Sequence, residues 1–237
     1  MMENMTKVLF AVTGSDHWTL ADGTRHASGY WPEELATPHR IFTEAGFDVT
    51  FATPGGVAPV DDKAGYTPEM NGGSAEVGQS IADYIASISD ELGDVEDLDT
   101  LDPADFDILF IPGGHGPMED LAVSEKFGAM TRAFAEAGKP VAAVCHGPAA
   151  LLAARDDNGD WLFSGYRVTG FSNVEETQIG FADVAKWLLE DRLTSDGGIF
   201  SAAAQPWAEH LVVDRNLYTG QNPASSEVIA RRLVADA

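Results

Sequence analysis

The only cysteine of the 237-residue chain, Cys145, is followed directly by His146 and Gly147. It ends a short apolar run, residues 141–144, and precedes a helical pattern over residues 149–154. A sharp turn from strand to helix exposes a nucleophile at the head of a helix, as the Gly-x-Ser-x-Gly elbow does for serine. The free N–H groups at that helix end stabilise a thiolate and can hold an oxyanion, so the pattern predicts a reactive cysteine of lowered pKa.

A second turn carries residues suited to the same chemistry, the sequence Pro112-Gly-Gly-His-Gly116 after another apolar run. Ligands of mostly parallel sheets bind beyond the carboxyl ends of the strands, so we expect this turn beside Cys145. Gly113 and Gly114 allow the backbone to approach closely and to supply a further oxyanion donor. His115 is predicted either to contact substrate or to close the loop.

Strand-like and helical segments alternate along the chain. Short apolar runs predict strands, and periodic apolar residues that stop at a glycine predict helices. The predicted strands are 6–13, 47–53, 106–111, 141–144 and 167–169, with a hairpin of 211–213 and 216–219. The predicted helices are 31–45, 124–137, 149–154, 181–193 and 225–233. This alternation indicates an α/β fold whose mostly parallel sheet is covered on both faces.

The chain length predicts a single domain, residues 1–237, with an irregular acidic insertion around 54–105. Residues 54–80 are rich in glycine, proline and aspartate, and nine of the 18 residues in 90–107 are acidic. We interpret this acidic run as a solvated surface. One cysteine rules out a disulfide within the chain and a Cys-x-x-Cys metal site.

The formal net charge is −24, from 38 acidic and 14 basic residues, which disfavours nucleic acid and anionic membranes as partners. No apolar stretch approaches the roughly 20 residues of a membrane span. Residues 1–6 are polar and lack the pattern of a signal peptide, which predicts a cytoplasmic protein. The acidic surface predicts adaptation to a salt-rich cytoplasm, because ions screen the self-repulsion.

Residues 142–151, AAVCHGPAAL, resemble the nucleophile elbow of the ThiJ/PfpI superfamily, relatives of the class I glutamine amidotransferases. TGFSNVEE (169–176) and TGQNPAS (219–225) are similar to the branch of heat-shock, stress-response chaperones with glyoxalase III activity. The resemblance covers nearly the whole chain. It implies a flavodoxin-like three-layer α/β/α sandwich with a mostly parallel central sheet, a small inserted cap region and, by analogy, a homodimer.

The resemblance also implies a role for each matched residue. Cys145 would be the nucleophile and His146 the general base, and the backbone N–H of His146 would join that of Gly114 in an oxyanion hole. Glu176 would orient His146. Glu34 would hydrogen-bond the Cys145 sulfur through a protonated carboxyl.

Each of the two glutamate assignments could shift by one residue. Glu175 is the alternative to Glu176, and Glu33 is the alternative to Glu34. Spacing within the matched segments favours Glu176 and Glu34.

No metal ion and no other cofactor is predicted. Some relatives bind a metal through histidines and a carboxylate, but His17, His26 and His39 show no such spacing. We interpret these three as surface or loop residues, and His210 as structural.

The implied activity is that of a glyoxalase III-type lyase, which converts the small reactive dicarbonyls methylglyoxal and glyoxal without glutathione. The Cys145 thiolate would attack the aldehyde and form a hemithioacetal. A base, His146 or Glu34, would move a proton from C1 to C2 through an enediol. Water would then hydrolyse the lactoyl thioester to lactate.

Three other functions stay open. A Cys–His pair also suits a cysteine peptidase or amidase of the PfpI type. A holdase chaperone or a redox sensor, in which Cys145 detects oxidants, is a function of a different class. Holdase activity that survives loss of the thiol would identify it. A glutamine amidotransferase is the weakest alternative, since those enzymes usually carry a distant His-x-Glu pair and none follows Cys145.

Overall fold

The structure, a computed structural model, describes residues 5–237. Residues 1–4 belong to the polar N-terminal segment from which a cytoplasmic location is predicted, and they lie outside the described residues. Within 5–237, no helix has both the length and the apolar character needed to cross a membrane.

A seven-stranded sheet forms the centre of the fold. The strands of the described chain are Lys7–Ala11 (β1), His17–Thr19 (β2), Arg25–Ala27 (β3), Asp48–Thr53 (β4), Glu96–Asp97 (β5), Ile108–Ile111 (β6), Val141–Val144 (β7), Arg167–Val168 (β8), Ile199–Phe200 (β9), Leu211–Asp214 (β10) and Leu217–Gly220 (β11). The central sheet has the order β10-β11-β7-β6-β1-β4-β5. Its neighbours are parallel except in the hairpin β10–β11, which confirms the predicted mostly parallel sheet.

Helices cover both faces of this sheet. They are Pro32–Glu44 (α1), Ala75–Ser87 (α2), Ser89–Gly93 (α3), Gly116–Glu119 (α4), Glu125–Glu136 (α5), Asn173–Gln178 (α6), Leu189–Ser195 (α7) and Ser226–Asp236 (α8). α1 packs against α8 and β4, whereas α5 packs against β6 and β7. Every residue of β6 and β7 is buried. Because alternate side chains of a strand point to opposite faces, both faces are covered, as in the predicted flavodoxin-like α/β sandwich.

The sequence around α1 explains where this helix begins and ends. Pro32 lies in its first turn, where the missing N–H costs nothing. Phe42 is fully buried, and Gly46, with a φ of 79°, follows the last turn. The first turn also carries Glu33 and Glu34, so the start of α1 decides where these two carboxyl groups lie.

The predicted helix over 181–193 is wrong in its first half, because α7 begins only at Leu189. The N–H of Val184 bonds to the carbonyl of Phe181, which closes a single turn. The Phe181 ring lies 5.9 Å from that of Trp18 in β2. Phe181 is therefore one of the apolar residues that produced the helical pattern, but its side chain covers the small sheet β2–β3 instead of one face of a helix.

The cap segment, residues 54–105, is more regular than predicted. It contains α2, which the Ser74 side chain caps by accepting from the N–H of Val77, and it also contains α3 and β5. A short 3-10 turn, Glu69–Asn71, precedes α2. This turn carries Met70 to the carboxyl end of the sheet, where it lines the chamber over Cys145.

Candidate active site

Cys145 follows β7 in a strained backbone conformation. Its φ of 60° lies in the left-handed region, which costs a non-glycine residue on the order of 1–3 kcal/mol. The Cys145 N–H donates to the carbonyl of Gly220, and the Cys145 carbonyl accepts from the N–H of Phe171, so the turn is held on both sides. A Cβ at Gly147 would lie 2.5 Å from the carbonyl oxygen of Ile111, so only glycine fits there. The turn has the backbone geometry of a nucleophile elbow.

His146 bridges the sulfur and a buried carboxylate. Its Nδ1 lies 3.4 Å from Sγ of Cys145, and its Nε2 lies 2.7 Å from Oε2 of Glu176. Burial by itself raises the pKa of Glu176, but the hydrogen bonds and charges of His146 and His115 outweigh it and hold that pKa below its ordinary 4.5. Glu176 is therefore ionised at neutral pH and orients the imidazole of His146.

His115 contacts the same carboxylate, a partner that neither of its predicted roles included. Its Nε2 lies 3.0 Å from Oε1 of Glu176, and its ring stacks on that of Trp18 at 4.3 Å. Burial, together with the nearby His146, lowers the pKa of His115. A neutral His115 can donate its Nε2–H to Glu176 while its ring lines the chamber over Cys145.

Glu34 enters the site from α1 and is fully buried. Its Oε2 accepts from the N–H of Gly113 at 2.8 Å, and the carboxyl faces the Cys145 thiol. Oε1 has no hydrogen-bond partner among residues 5–237. Burial raises the pKa of Glu34 well above its ordinary value, which favours the protonated carboxyl. It can exchange that proton with the sulfur or with a bound substrate.

Gly113 differs from its predicted role as an oxyanion donor, because its N–H is already used by Glu34. A Cβ at Gly113 would lie 2.6 Å from Oε2 of Glu34, so the glycine permits this contact. The N–H of Gly114, by contrast, is directed at the Cys145 sulfur. The backbone donor that acts on the sulfur is therefore that of Gly114.

The pKa of Cys145 is shifted in the direction opposite to the prediction. Burial raises the pKa of the thiol, the Glu34 carboxyl adds to this, and the N–H of Gly114 opposes it. The prediction assumed an α-helix after the cysteine, whereas Gly147–Ala153 is a 3-10 helix of seven residues. The resting protein therefore holds a thiol, and a thiolate must form by proton transfer within the site.

The two alternative glutamates lie outside this cluster. Burial raises the pKa of Glu33 to about 7, and its side chain lines neighbouring cavities instead of the chamber over Cys145. Glu175 is fully buried and anchors several segments of the chain. It accepts hydrogen bonds from Ser172 N at 3.0 Å, Ser172 Oγ at 2.7 Å, Trp207 N at 2.8 Å, Gln221 Nε2 at 3.0 Å and Asn222 Nδ2 at 2.8 Å.

The apolar walls of the site were not predicted from the sequence. Trp207, with a φ of 65°, is held by Glu175 and closes the chamber together with Met70, Trp31 and Phe171. The chamber measures only about 30 Å³. One signal in the sequence was the polar pair Gln221-Asn222 beside an apolar run. Such side chains need hydrogen-bond partners when they are buried, and the partner here is Glu175, which also holds Trp207.

The donor atoms of His115, His146 and Glu176 lie within 4.8 Å of one another, which is close enough to consider a metal ion. The imidazole nitrogens lie 3.0 and 2.7 Å from the carboxylate oxygens, distances typical of hydrogen bonds. We therefore assign the cluster to hydrogen bonding. The interpretation of His39 as a surface or loop residue is wrong, because it is buried within α1 and its Nδ1 lies 3.0 Å from the Tyr84 hydroxyl. His17 pairs with Asp16 near the surface.

A buried Cys–His–Glu arrangement after a central parallel strand, within this α/β sandwich, defines a recognisable class of protein. The sequence profile of the DJ-1/PfpI family matches residues 26–236. The chain therefore belongs to the DJ-1/PfpI family, and the resemblance to ThiJ/PfpI proteins is confirmed.

Several proteins of similar length are related to this chain throughout. It is 27% identical to Glyoxalase 3 of Candida albicans, over 98% of both chains. It is 29% identical to the glutathione-independent glyoxalase HSP31 of Saccharomyces cerevisiae, over 96% of both. The crystal structure of glyoxalase III from Candida albicans matches with a TM-score of 0.84 at 26% identity, covering 98% of this chain and 97% of that one.

Proposed function

We propose that this protein is a glutathione-independent glyoxalase of the glyoxalase III type, a cysteine-dependent lyase that converts methylglyoxal to lactate and glyoxal to glycolate. One observation carries the proposal: a buried sulfur with two proton-transfer groups beside it, Glu34 and His146, lines a chamber of about 30 Å³. The full-length similarity to proteins named as glyoxalases supports it.

The first half of the reaction forms a carbon–sulfur bond. Nδ1 of His146, 3.4 Å from the sulfur, takes the thiol proton as Sγ of Cys145 attacks the aldehyde carbon. The protonated Glu34 gives its proton to the aldehyde oxygen. The product is a hemithioacetal, which leaves Glu34 as a carboxylate and His146 as an imidazolium.

The second half moves one hydrogen from C1 to C2 without net oxidation. The Glu34 carboxylate removes the C1 proton while His146 protonates the C2 oxygen, which gives an enediol. Glu34 then protonates C2 and His146 takes the C1 hydroxyl proton, which leaves a lactoyl thioester. Water adds to this thioester, the sulfur leaves, and Cys145 is reprotonated. The N–H of Gly114 stabilises the oxygen that becomes negative in the hydrolysis step.

Lactate release from methylglyoxal without glutathione, measured in molar KCl, tests the proposed function. We expect lactate to form stoichiometrically with methylglyoxal consumed. A folded wild-type protein that releases no lactate would refute the proposal and favour a hydrolase with another substrate or a chaperone.

The alternatives differ in how well they fit a buried thiol beside a small chamber. A PfpI-type peptidase must bind an extended peptide next to the sulfur, where the space measures only about 30 Å³. A redox-sensing role needs an accessible thiolate, whereas the Cys145 side chain is 4% exposed and its pKa is raised. The small dicarbonyl is therefore the substrate that the geometry favours.

Replacing Glu176 with glutamine is expected to lower kcat by about 10²-fold, because the imidazole loses its orienting charge. The folded protein keeps this carboxylate ionised to lower pH than the unfolded chain does. Glu176 therefore stabilises the fold above its ordinary pKa of 4.5, and this stabilisation is lost as the pH falls further. Urea unfolding between pH 3 and pH 7 should show a flatter acid dependence for Glu176→Gln. Unchanged kcat with unchanged acid dependence would exclude the orienting role.

Salt is expected to stabilise this protein, because a net charge of −24 repels itself less when it is screened. Melting curves at increasing KCl should show a rising Tm. The proposed adaptation to a salt-rich cytoplasm fails if Tm is indifferent to KCl.

The remaining proposals concern surroundings and assembly. By analogy with the family we place the protein in the cytoplasm as a homodimer, without nucleic acid or membrane partners. Light scattering tests the dimer, since a monomer has a mass of 25.2 kDa.

A further inference from the structure

Three cavities at the carboxyl end of the sheet meet at one side chain. The chamber over Cys145 measures about 30 Å³, and cavities of about 540 and 430 Å³ lie beside it. Met70 lines all three. The 540 Å³ cavity also shares Trp31, His115 and Ile179 with the chamber. Met70 is therefore part of the wall that divides the nucleophile from a much larger space.

The backbone around Met70 is held, whereas its side chain is adaptable. Nδ2 of Asn71 donates to the carbonyl oxygens of Gly65 at 2.9 Å and Thr67 at 2.8 Å, which fastens the turn to the rest of the cap segment. Gly72 ends the turn with a φ of 62°. The unbranched thioether has three rotatable bonds and fills irregular gaps. The turn thus fixes the position of Met70, and its side chain fills the space between the chamber over Cys145 and the larger cavity.

The 540 Å³ cavity suits an apolar, uncharged group. Phe181 and other apolar side chains form much of its wall. Its carboxylates already have partners, since Asp62 accepts from Ser28 Oγ at 2.8 Å and Asp61 accepts from Lys63 Nζ at 2.6 Å. The 430 Å³ cavity is lined by Glu33 and Glu69 as well as by apolar side chains such as Val77 and Trp207.

We propose that Met70 is the residue that determines substrate size, by separating the chamber over Cys145 from the apolar 540 Å³ cavity. A 2-oxoaldehyde with a methyl group is favoured over one with an aromatic group as long as this wall stands. Trimming Met70 joins the two spaces, so the aldehyde can remain at Cys145 while a larger group enters the cavity. The choice of substrates in this inference rests on the proposed glyoxalase function. The separation of the two spaces by Met70 does not depend on it.

The first test compares kcat/KM for methylglyoxal and phenylglyoxal. We expect Met70→Ala to raise the phenylglyoxal-to-methylglyoxal ratio at least about tenfold, the usual scale for such a change in an apolar pocket. Met70→Leu, of similar volume, should keep the wild-type ratio. Glu69→Ala is the matched control, because Glu69 precedes Met70 and lines only the 430 Å³ cavity. An unchanged ratio in folded Met70→Ala, or an equal rise in Glu69→Ala, overturns the inference.

The second test does not depend on catalysis. Because Cys145 is the only cysteine, its rate of modification by methyl and by benzyl methanethiosulfonate reports access to the sulfur alone. Met70→Ala should raise the benzyl-to-methyl ratio at least about tenfold. If this ratio rises while the wild type makes no lactate, the proposed function fails and the wall stands. If the labelling ratio does not change, the wall is refuted whatever the lactate assay gives.

Discussion

Replacing Cys145 with alanine is expected to lower kcat/KM for lactate formation from methylglyoxal by at least about 10⁴-fold. The sulfur is the atom that bonds to the aldehyde carbon and later leaves the thioester. His146 and Glu34 remain in the variant, but they can move only protons. Lactate is measured at neutral pH, without glutathione, in molar KCl.

Cys145→Ser is the matched control for this variant. Its hydroxyl fills nearly the same space, but an alcohol ionises far less readily than a thiol, so we expect it to be as inactive as the alanine variant. Both proteins should unfold within about 2 kcal/mol of the wild type, since only one small buried group changes. Wild-type turnover by folded Cys145→Ala would show that the chemistry does not pass through the thiol.

Replacing Glu34 with glutamine is expected to lower kcat by about 10²- to 10⁴-fold with little change in KM. The amide oxygen can still accept from the N–H of Gly113, as Oε2 of Glu34 does at 2.8 Å, so the side chain keeps its place. An amide cannot release and recover the proton that moves from C1 to C2. Steady-state kinetics with methylglyoxal measure the change.

Glu33→Gln is the matched control, because Glu33 precedes Glu34 on α1 but lines other cavities. Its kcat should stay within about threefold of the wild type.

The stability of the Glu34 variant gives a second readout. The pKa of Glu34 is higher in the folded protein than in the unfolded chain, so the wild type loses stability as the pH rises above the unfolded value of 4.5. Glu34→Gln should reduce this loss of stability with rising pH. Equal losses of kcat in Glu34→Gln and Glu33→Gln would contradict the role of Glu34.

Much of the fold could be predicted from the sequence, because its central strands are locally unambiguous. The runs that form β6 and β7 are apolar throughout, and a short run of this kind is stable only when both faces are covered. Pro32 and Gly46 likewise mark the ends of α1. The first half of the helix predicted over 181–193 was wrong, because the Phe181 side chain packs on the hairpin β2–β3, which was not predicted.

Part of the candidate site could also be predicted from the sequence, and part could not. The adjacent Cys145 and His146, between an apolar run and a helical pattern, indicate a nucleophile without any structure. The predicted pKa of the cysteine was wrong in direction, because a pKa depends on how deeply the sulfur is buried and which carboxyl faces it. The contact that draws Gly113 away from an oxyanion role comes from Glu34, 79 residues earlier in the chain.

The sequence by itself determined the central strands β1, β4, β6 and β7, the helix α1 and the position of the nucleophile, because a strand-to-helix turn and an apolar run are properties of neighbouring residues. The tertiary structure decided which glutamate of each pair faces the cysteine or the histidine, that His115 shares the Glu176 carboxylate, and that Met70 and Trp207 enclose the sulfur. These features join segments far apart in the chain. Burial and contact across such separations exist only once the sheet has brought the carboxyl ends of its strands together.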